Sequence, residues 1–218
     1  MIKPTIEPPD VGKVVALLEL ANTEYPEFGT FLQLAVITGA RRGELCALKW
    51  ERIDWARETL AISQSIAEVK GGIVEKGTKT HAVRRIALDT QTLAVLDTHR
   101  KRSAALAEQA GCELTTDSYV FSCAPGAAVP WTPSYASKTF QRLRGSVGLA
   151  SARFHDLRHF AATRLLSAGM PVRTVSGRLG HANAATTLGV YAHFTEASDR
   201  VTADAIARLI PPDSKPLR

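Results

Sequence analysis

The sequence predicts a mostly α-helical domain of the α+β class, with one small antiparallel β-sheet. Apolar residues recur at helical spacing over much of the chain, for example in about 11–22 and 27–38. Alternation of apolar and polar residues appears in the middle of the chain, over about 59–88, with a glycine-rich turn near Gly71-Gly72. Hydrophobic residues make up 45% of the 218 residues, and charged residues 22%. That balance is typical of a globular domain with a sizeable core.

The individual elements follow from local signals. Asp10 can cap the first helix, Gly39 ends the second, and a short third helix runs through about 42–48. In the predicted sheet, a second turn is expected near Gly77. Leu60, Ile62, Ile86 and Leu88 are the alternating apolar residues of this sheet. Further helices are predicted at about 90–110, 133–147, 156–168, 171–179, 184–192 and 199–210.

We expect an extended lead-in over residues 1–10, one domain over 11–210 and a loose tail over 211–218. The proline-containing stretch 115–133 is the best candidate for a linker, without a clear domain boundary. No stretch approaches the roughly 18 apolar residues of a membrane span, so no span is expected. The sparse, odd number of cysteines is typical of reduced thiols in a cytosol, so we expect a cytoplasmic protein.

Three cysteines with no metal-ligand spacing indicate reduced thiols and no metal site, and Cys46 lies in an apolar run that predicts a core position. The net charge of +6 permits a polyanionic partner. It equally permits a basic protein with no nucleic-acid role.

Polar groups cluster in three places. Arg41 follows a glycine turn at a helix start, where backbone N–H groups and the guanidinium favour binding of a phosphate. The alternative interpretation is an ordinary surface salt bridge between Arg41 and Glu44. His155 and Arg158, three residues apart, share a helix face, although a solvated polar face would look the same.

The third place is the segment 179–193, which includes a predicted helix junction. Gly180 suits a helix C-cap, which puts His181 at a helix junction, and Tyr191 lies near the end of the next helix. Taken singly, such a histidine is usually a local hydrogen-bonding residue and such a tyrosine a core residue with its hydroxyl at the rim.

Together these segments resemble the tyrosine recombinases, or phage integrases, from about Asp10 to about Leu209. The strings that carry the resemblance are TGARRGELCALKW (38–50), TKTHAVRRIALD (78–89), HDLRHFAATRLLSAG (155–169) and LGHANAATTLGVYAH (179–193). Their order and spacing agree with the family. The resemblance implies the catalytic-domain fold of that family.

The resemblance also implies roles for individual residues. The two family arginines are matched by Arg41 and Arg158, the two histidines by His155 and His181. The nucleophile would be Tyr191. The family's hairpin lysine is matched by Lys79, with Lys76 close enough to compete. Glu44 and His159 match further family positions, where we expect them to orient Arg41 or pack the site.

The implied activity is site-specific recombination of double-stranded DNA. The tyrosine attacks phosphorus, a 3′-phosphotyrosyl bond forms, and no metal, ATP or other cofactor is required. The resemblance further implies a homotetramer on DNA that exchanges C-terminal helices, a possible monomer in isolation, and accessory DNA-bending proteins. The family's N-terminal core-binding domain is expected to be absent, because the first motif begins at Thr38.

Two other functions stay open. One is DNA relaxation of the type IB topoisomerase kind, which uses similar chemistry. The other is a non-catalytic DNA-binding regulator with a vestigial site. Retention of every candidate position argues against a regulator, because DNA binding alone needs no tyrosine at position 191.

Overall fold

The computed structural model describes residues 8–77, 83–181 and 187 of the chain. The helices are α1 (Val11–Glu24), α2 (Pro26–Thr38), α3 (Arg42–Cys46), α4 (Thr90–Gln109), α5 (Pro133–Arg144), α6 (Asp156–Ser167) and α7 (Val172–Leu179). The strands are β1 (Ile53–Asp54), β2 (Thr59–Ile62), β3 (Gln64–Val69), β4 (Gly72–Gly77) and β5 (Arg84–Ala87). Short 3₁₀ turns lie at Trp50–Arg52 and Pro125–Ala127. The fold class is as predicted, mostly helical with small antiparallel sheets.

The helix boundary signals act as expected. The Asp10 carboxylate accepts the backbone N–H of Lys13 at 3.2 Å and caps α1. Gly39 ends α2 in the left-handed conformation, with φ of 62°. The predicted helix at 184–192 lies outside the described residues except for Thr187, and the predicted helix at 199–210 lies wholly outside them.

The strands form two sheets, where the sequence predicted one. The first is antiparallel in the order β1-β2-β5, and the second is the hairpin of β3 and β4. The two sheets also differ in burial. Leu60 in β2 and Ile86 in β5 are fully buried opposite each other, whereas every residue of β4 is exposed. Gly77, expected in a turn, is instead the last residue of β4, paired with Gln64.

The core is built around aromatic rings. Phe31 of α2 has its ring centroid 4.9 Å from that of Phe121, 5.5 Å from Trp131 and 5.6 Å from Phe154. Phe121 and Trp131 belong to the stretch 115–133, so this stretch is part of the core and not a linker. Because Phe154 is anchored in the same cluster, the core fixes the start of α6, where the site residues lie.

Cys46 is fully buried, as its apolar surroundings predicted, and burial raises the pKa of its thiol to about 12. Among the described residues, no helix is long and apolar enough to cross a membrane. The boundaries assigned to the lead-in, the domain and the tail stay predictions.

Candidate active site

The position of Arg41 follows from the turn between α2 and α3. The left-handed Gly39 reverses the chain, and the N–H of Ala40 is held by the Thr38 hydroxyl at 3.1 Å. Arg41 is then the N-cap residue of α3. Its side chain is 48% exposed, so the guanidinium is available to a ligand.

Glu44 is a buried carboxylate that binds two arginines. Its Oε2 accepts the backbone N–H of Arg41 at 2.8 Å, and its Oε1 accepts Nη1 of the same residue at 2.8 Å. Arg84 of β5 donates Nη2 to Oε2, also at 2.8 Å. Burial by itself raises the pKa of Glu44, but the hydrogen bonds and positive charges of Arg84 and Arg41 outweigh it and leave the pKa lowered. The Arg41–Glu44 pair is therefore not an ordinary surface pair, because its carboxylate is 3% exposed.

Arg158 lies on α6 and is only 3% exposed. Its Nη1 donates to the carbonyl of Gly39 at 2.5 Å, which joins α6 to the turn that carries Arg41. Its buried Nη2 has no hydrogen-bond partner among the described residues. Burial, together with the charge of Arg41, lowers the pKa of this guanidinium to about 9, which keeps it charged at neutral pH. A buried cation with a free donor is costly unless something else satisfies it.

His155 precedes α6 as its N-cap residue and stays exposed. Its ring lies edge-on to that of His159, with 4.9 Å between centroids. Loss of hydration, the neighbouring His159 ring and the charge of Arg158 lower the pKa of His155 to about 4. The pKa of His159 is also lowered, first by burial. His155 is therefore neutral at physiological pH and able to accept a proton.

His181 follows the left-handed Gly180 that ends α7, as the sequence predicted for a helix junction. Its Nδ1 lies 2.8 Å from the hydroxyl of Thr187, and that hydroxyl lies 2.7 Å from the hydroxyl of Ser176. The carbonyl of Gly180 accepts Nη2 of Arg41 at 3.3 Å. Burial and the charges of Arg158 and Arg41 lower the pKa of His181 to about 4, so this imidazole is neutral as well.

A cavity of about 690 Å³ lies between α3, β3, α5 and α6. It is lined by Arg41, His155 and Arg158 together with three further arginines, Arg42, Arg144 and Arg153. Such a concentration of guanidinium groups in one concave surface is an anion-binding environment. Among the described residues, no group of three or more His, Cys, Asp or Glu side chains is placed to hold a metal ion.

The predicted site residues thus fall into two groups. Arg41, Glu44, His155, Arg158, His159 and His181 are described and lie around one region at the meeting of α3, α6 and α7. Lys79 and Tyr191 lie outside the described residues. Lys76 is an exposed residue of β4, paired with Ser65. The choice between Lys79 and Lys76 stays a prediction.

Two residues of this region were missed as site residues by sequence reasoning. One is Thr187, whose contact with His181 depends on the path of the chain after α7. The other is Arg84, which the β-strand period could have found. Alternate residues of a strand face one side, so Arg84 shares the inward face of the buried Ile86, while Arg85 is exposed.

The mostly helical fold and the arginine- and histidine-lined cavity define a domain suited to bind a phosphate-bearing ligand. Residues 10–198 match the phage integrase family, and the chain belongs to this family. It is 32% identical over 173 residues to a XerC-like tyrosine recombinase of Caldanaerobacter subterraneus subsp. tengcongensis, covering 73% of this chain and 44% of that protein. It is 28% identical over 184 residues to the ICEBs1 integrase of Bacillus subtilis, covering 84% of this chain and 49% of that protein.

Solved structures give the same fold. The Tn1549 transposon integrase in complex with a circular intermediate DNA matches with a TM-score of 0.77 at 22% identity, over 93% of this chain and 66% of that one. The lambda integrase catalytic core matches with a TM-score of 0.55 at 21% identity, over 81% of this chain and 92% of that one. The chain spans about half the length of the curated relatives it matches.

Proposed function

We propose that this chain cleaves and rejoins double-stranded DNA through a 3′-phosphotyrosyl intermediate formed by Tyr191. The observation that carries the proposal is the buried Arg158, whose Nη2 is unpartnered among the described residues and whose guanidinium lines the same cavity as Arg41. Two guanidinium groups at one cavity suit the non-bridging oxygens of a phosphodiester. Family membership supplies the reaction class.

In the proposed reaction, Arg41 and Arg158 bind the scissile phosphate and stabilise the charge that develops on it. The Tyr191 oxygen forms a bond to phosphorus as the bond from phosphorus to the 5′ oxygen breaks. The phenol has a pKa of about 10 and must lose its proton to react. Neutral His155 is the proposed acceptor of that proton, and Lys79 the proposed donor to the leaving 5′ oxygen.

Phosphate binding also changes the pKa values of the two histidines, His155 and His181. In the free protein, loss of hydration and the nearby positive charges lower the pKa values of His155 and His181 to about 4. A bound phosphodiester carries a negative charge, which favours the imidazolium form and raises both values. His155 thereby becomes a stronger base once substrate is present, and His181 a better donor to the phosphate.

No cofactor is part of the proposal. The new phosphotyrosine conserves the energy of the broken phosphodiester, so a 5′-hydroxyl from another strand can attack it and release Tyr191 without ATP. The partner is double-stranded DNA. A homotetramer on DNA with exchanged C-terminal helices, accessory DNA-bending proteins and a cytoplasmic location are proposed with it.

Covalent trapping tests the proposal. Duplexes with a randomised central segment and a nick, which lets the cleaved end diffuse away, are incubated with the whole chain and resolved on a denaturing gel. We expect a protein–DNA adduct, whose sequencing identifies the cut site. Tyr191→Phe should abolish the adduct and retain DNA binding, while Tyr135→Phe, a change of an exposed tyrosine on α5, should leave both intact. An adduct that survives Tyr191→Phe would show that another residue is the nucleophile.

Further assays with the same protein distinguish the proposed function from the two alternatives. Relaxation of supercoiled plasmid without exchange between two copies of the cut site would favour a topoisomerase-like enzyme. DNA binding with no adduct on any duplex would favour a non-catalytic regulator. Light scattering of the protein with and without DNA measures whether it is a monomer in isolation and a tetramer on its site.

A further inference from the structure

Arg84 touches the residue that holds Arg41, although it does not line the cavity. Its side chain is 10% exposed, and both of its terminal nitrogens face Glu44, with Nη2 at 2.8 Å from Oε2 and Nη1 at 3.5 Å from Oε1. Glu44 uses the same two oxygens to bind the backbone and the guanidinium of Arg41. One carboxylate therefore links the two arginines, and its orientation depends on both.

Arg84 also lies against the turn that leads to His181. A Cβ atom on Gly180 would be 2.3 Å from Nη1 of Arg84, so a larger residue at 180 would force the Arg84 guanidinium to shift. The carbonyl of Gly180 accepts a hydrogen bond from Arg41. Gly180 thus lies between two guanidinium groups, with that of Arg84 near the position a Cβ atom would take and that of Arg41 bonded to its carbonyl.

Stability alone does not account for an arginine at this position. The Nε of Arg84 is buried with no hydrogen-bond partner among the described residues. A buried guanidinium loses its hydration, and apolar residues of similar volume often replace buried ion pairs without loss of stability. Arg84 also brings a third cation close to Arg41 and Arg158, and it contributes to the lowered pKa of Arg158.

We infer that Arg84 is a positioning residue for strand cleavage, which fixes Glu44 and through it the Arg41 guanidinium and the Gly180–His181 turn. This inference rests on the proposed function. Arg84 makes no contact with the phosphate in this scheme. Its effect reaches the reaction through the geometry of Arg41 and His181.

The test compares Arg84→Gln and Arg84→Lys with Arg85→Gln, a change on the exposed face of the same strand. The measurement is the single-turnover rate of adduct formation on the nicked duplex recovered by covalent trapping, with DNA affinity measured separately. We expect Arg84→Gln to lose about 10- to 100-fold in rate, the range typical of groups that orient a functional side chain. We expect an intermediate rate for Arg84→Lys, which keeps the charge but not the two-bond geometry, and a change within about twofold for Arg85→Gln.

A second substrate separates positioning from a general folding defect. A methylphosphonate at the scissile position is uncharged, so its cleavage depends less on a well-placed Arg41. If Arg84 positions Arg41, the loss in Arg84→Gln is clearly smaller on methylphosphonate than on phosphodiester. Equal losses on the two substrates, or rates for Arg84→Gln as high as for Arg85→Gln, would overturn the inference. Absence of an adduct with the unaltered chain would instead overturn the proposed function, and the inference with it.

Discussion

Replacing Glu44 with glutamine removes one negative charge and leaves the size of the side chain almost unchanged. The charge lies between two guanidinium groups of unequal exposure. Arg41 is 48% exposed, so its guanidinium stays partly hydrated and its pair with Glu44 is the weaker of the two. Arg84 is 10% exposed and Glu44 is 3% exposed, so this second pair is buried. Removing one partner of a buried pair costs about 3–5 kcal/mol, because the other charge remains without compensation.

Glutamine keeps one acceptor oxygen, so we expect the lower end of that range, about 3 kcal/mol. For a domain of this size, 1 kcal/mol corresponds to about 2–4 °C in melting temperature, which gives a decrease of roughly 6–12 °C. Thermal unfolding monitored by circular dichroism measures this decrease in melting temperature. The control is Glu51→Gln, because Glu51 pairs with Arg52 at 3.0 Å but is 40% exposed. A change within about 0.5 kcal/mol is expected there. Equal melting temperatures for the two variants would refute the assignment of Glu44 as a buried ionic link.

Further outcomes are expected from the same geometry. The stabilisation by Glu44 should be complete above pH 4.5 and lost as pH falls through its lowered pKa, so urea titrations of the Glu44→Gln variant and the unaltered chain should converge in acid. Arg158→Ala should slow cleavage by about 10²–10³-fold in single-turnover assays, and a near-normal rate would remove Arg158 from the site. In a plot of kcat/KM against pH, the fall on the acid side should have its midpoint near pH 4, because the pKa of His155 in the free protein is about 4. A midpoint near 6.5 would contradict the assignment of His155 as the base. Gly39→Ala should destabilise the fold by at least about 1–2 kcal/mol in urea titrations, since Gly39 has φ of 62° and a Cβ there would lie 2.2 Å from Leu179. Adduct formation should persist in excess chelator, and its loss would contradict a reaction without metal.

Much of the fold was predictable because its signals are local. The cap at Asp10 and the left-handed glycine at 39 depend on a few neighbouring residues, and both lie where the sequence predicted them. Helical periodicity located α4 and α6 in the same way. The division of the strands into two sheets was not predictable, because alternation gives the face of a strand and not its partner. The stretch 115–133 was misjudged for a similar reason. Its prolines and glycines indicate irregular backbone, but Phe121 and Trp131 bury that backbone in the core.

For the site, the sequence by itself determined which chemical groups are available. It supplied the identity, order and spacing of Arg41, His155, Arg158 and His181, because resemblance to a family is carried by residue types along the chain. Only the tertiary structure decided how these groups are charged and held. The neutrality of His155 arises from loss of hydration and from the nearby His159 and Arg158, and the Nη2 of Arg158 is buried with no hydrogen-bond partner among the described residues. The link from Arg84 through Glu44 to Arg41 joins residues 40 positions apart, and a contact of that kind exists only once β5 has packed beside α3.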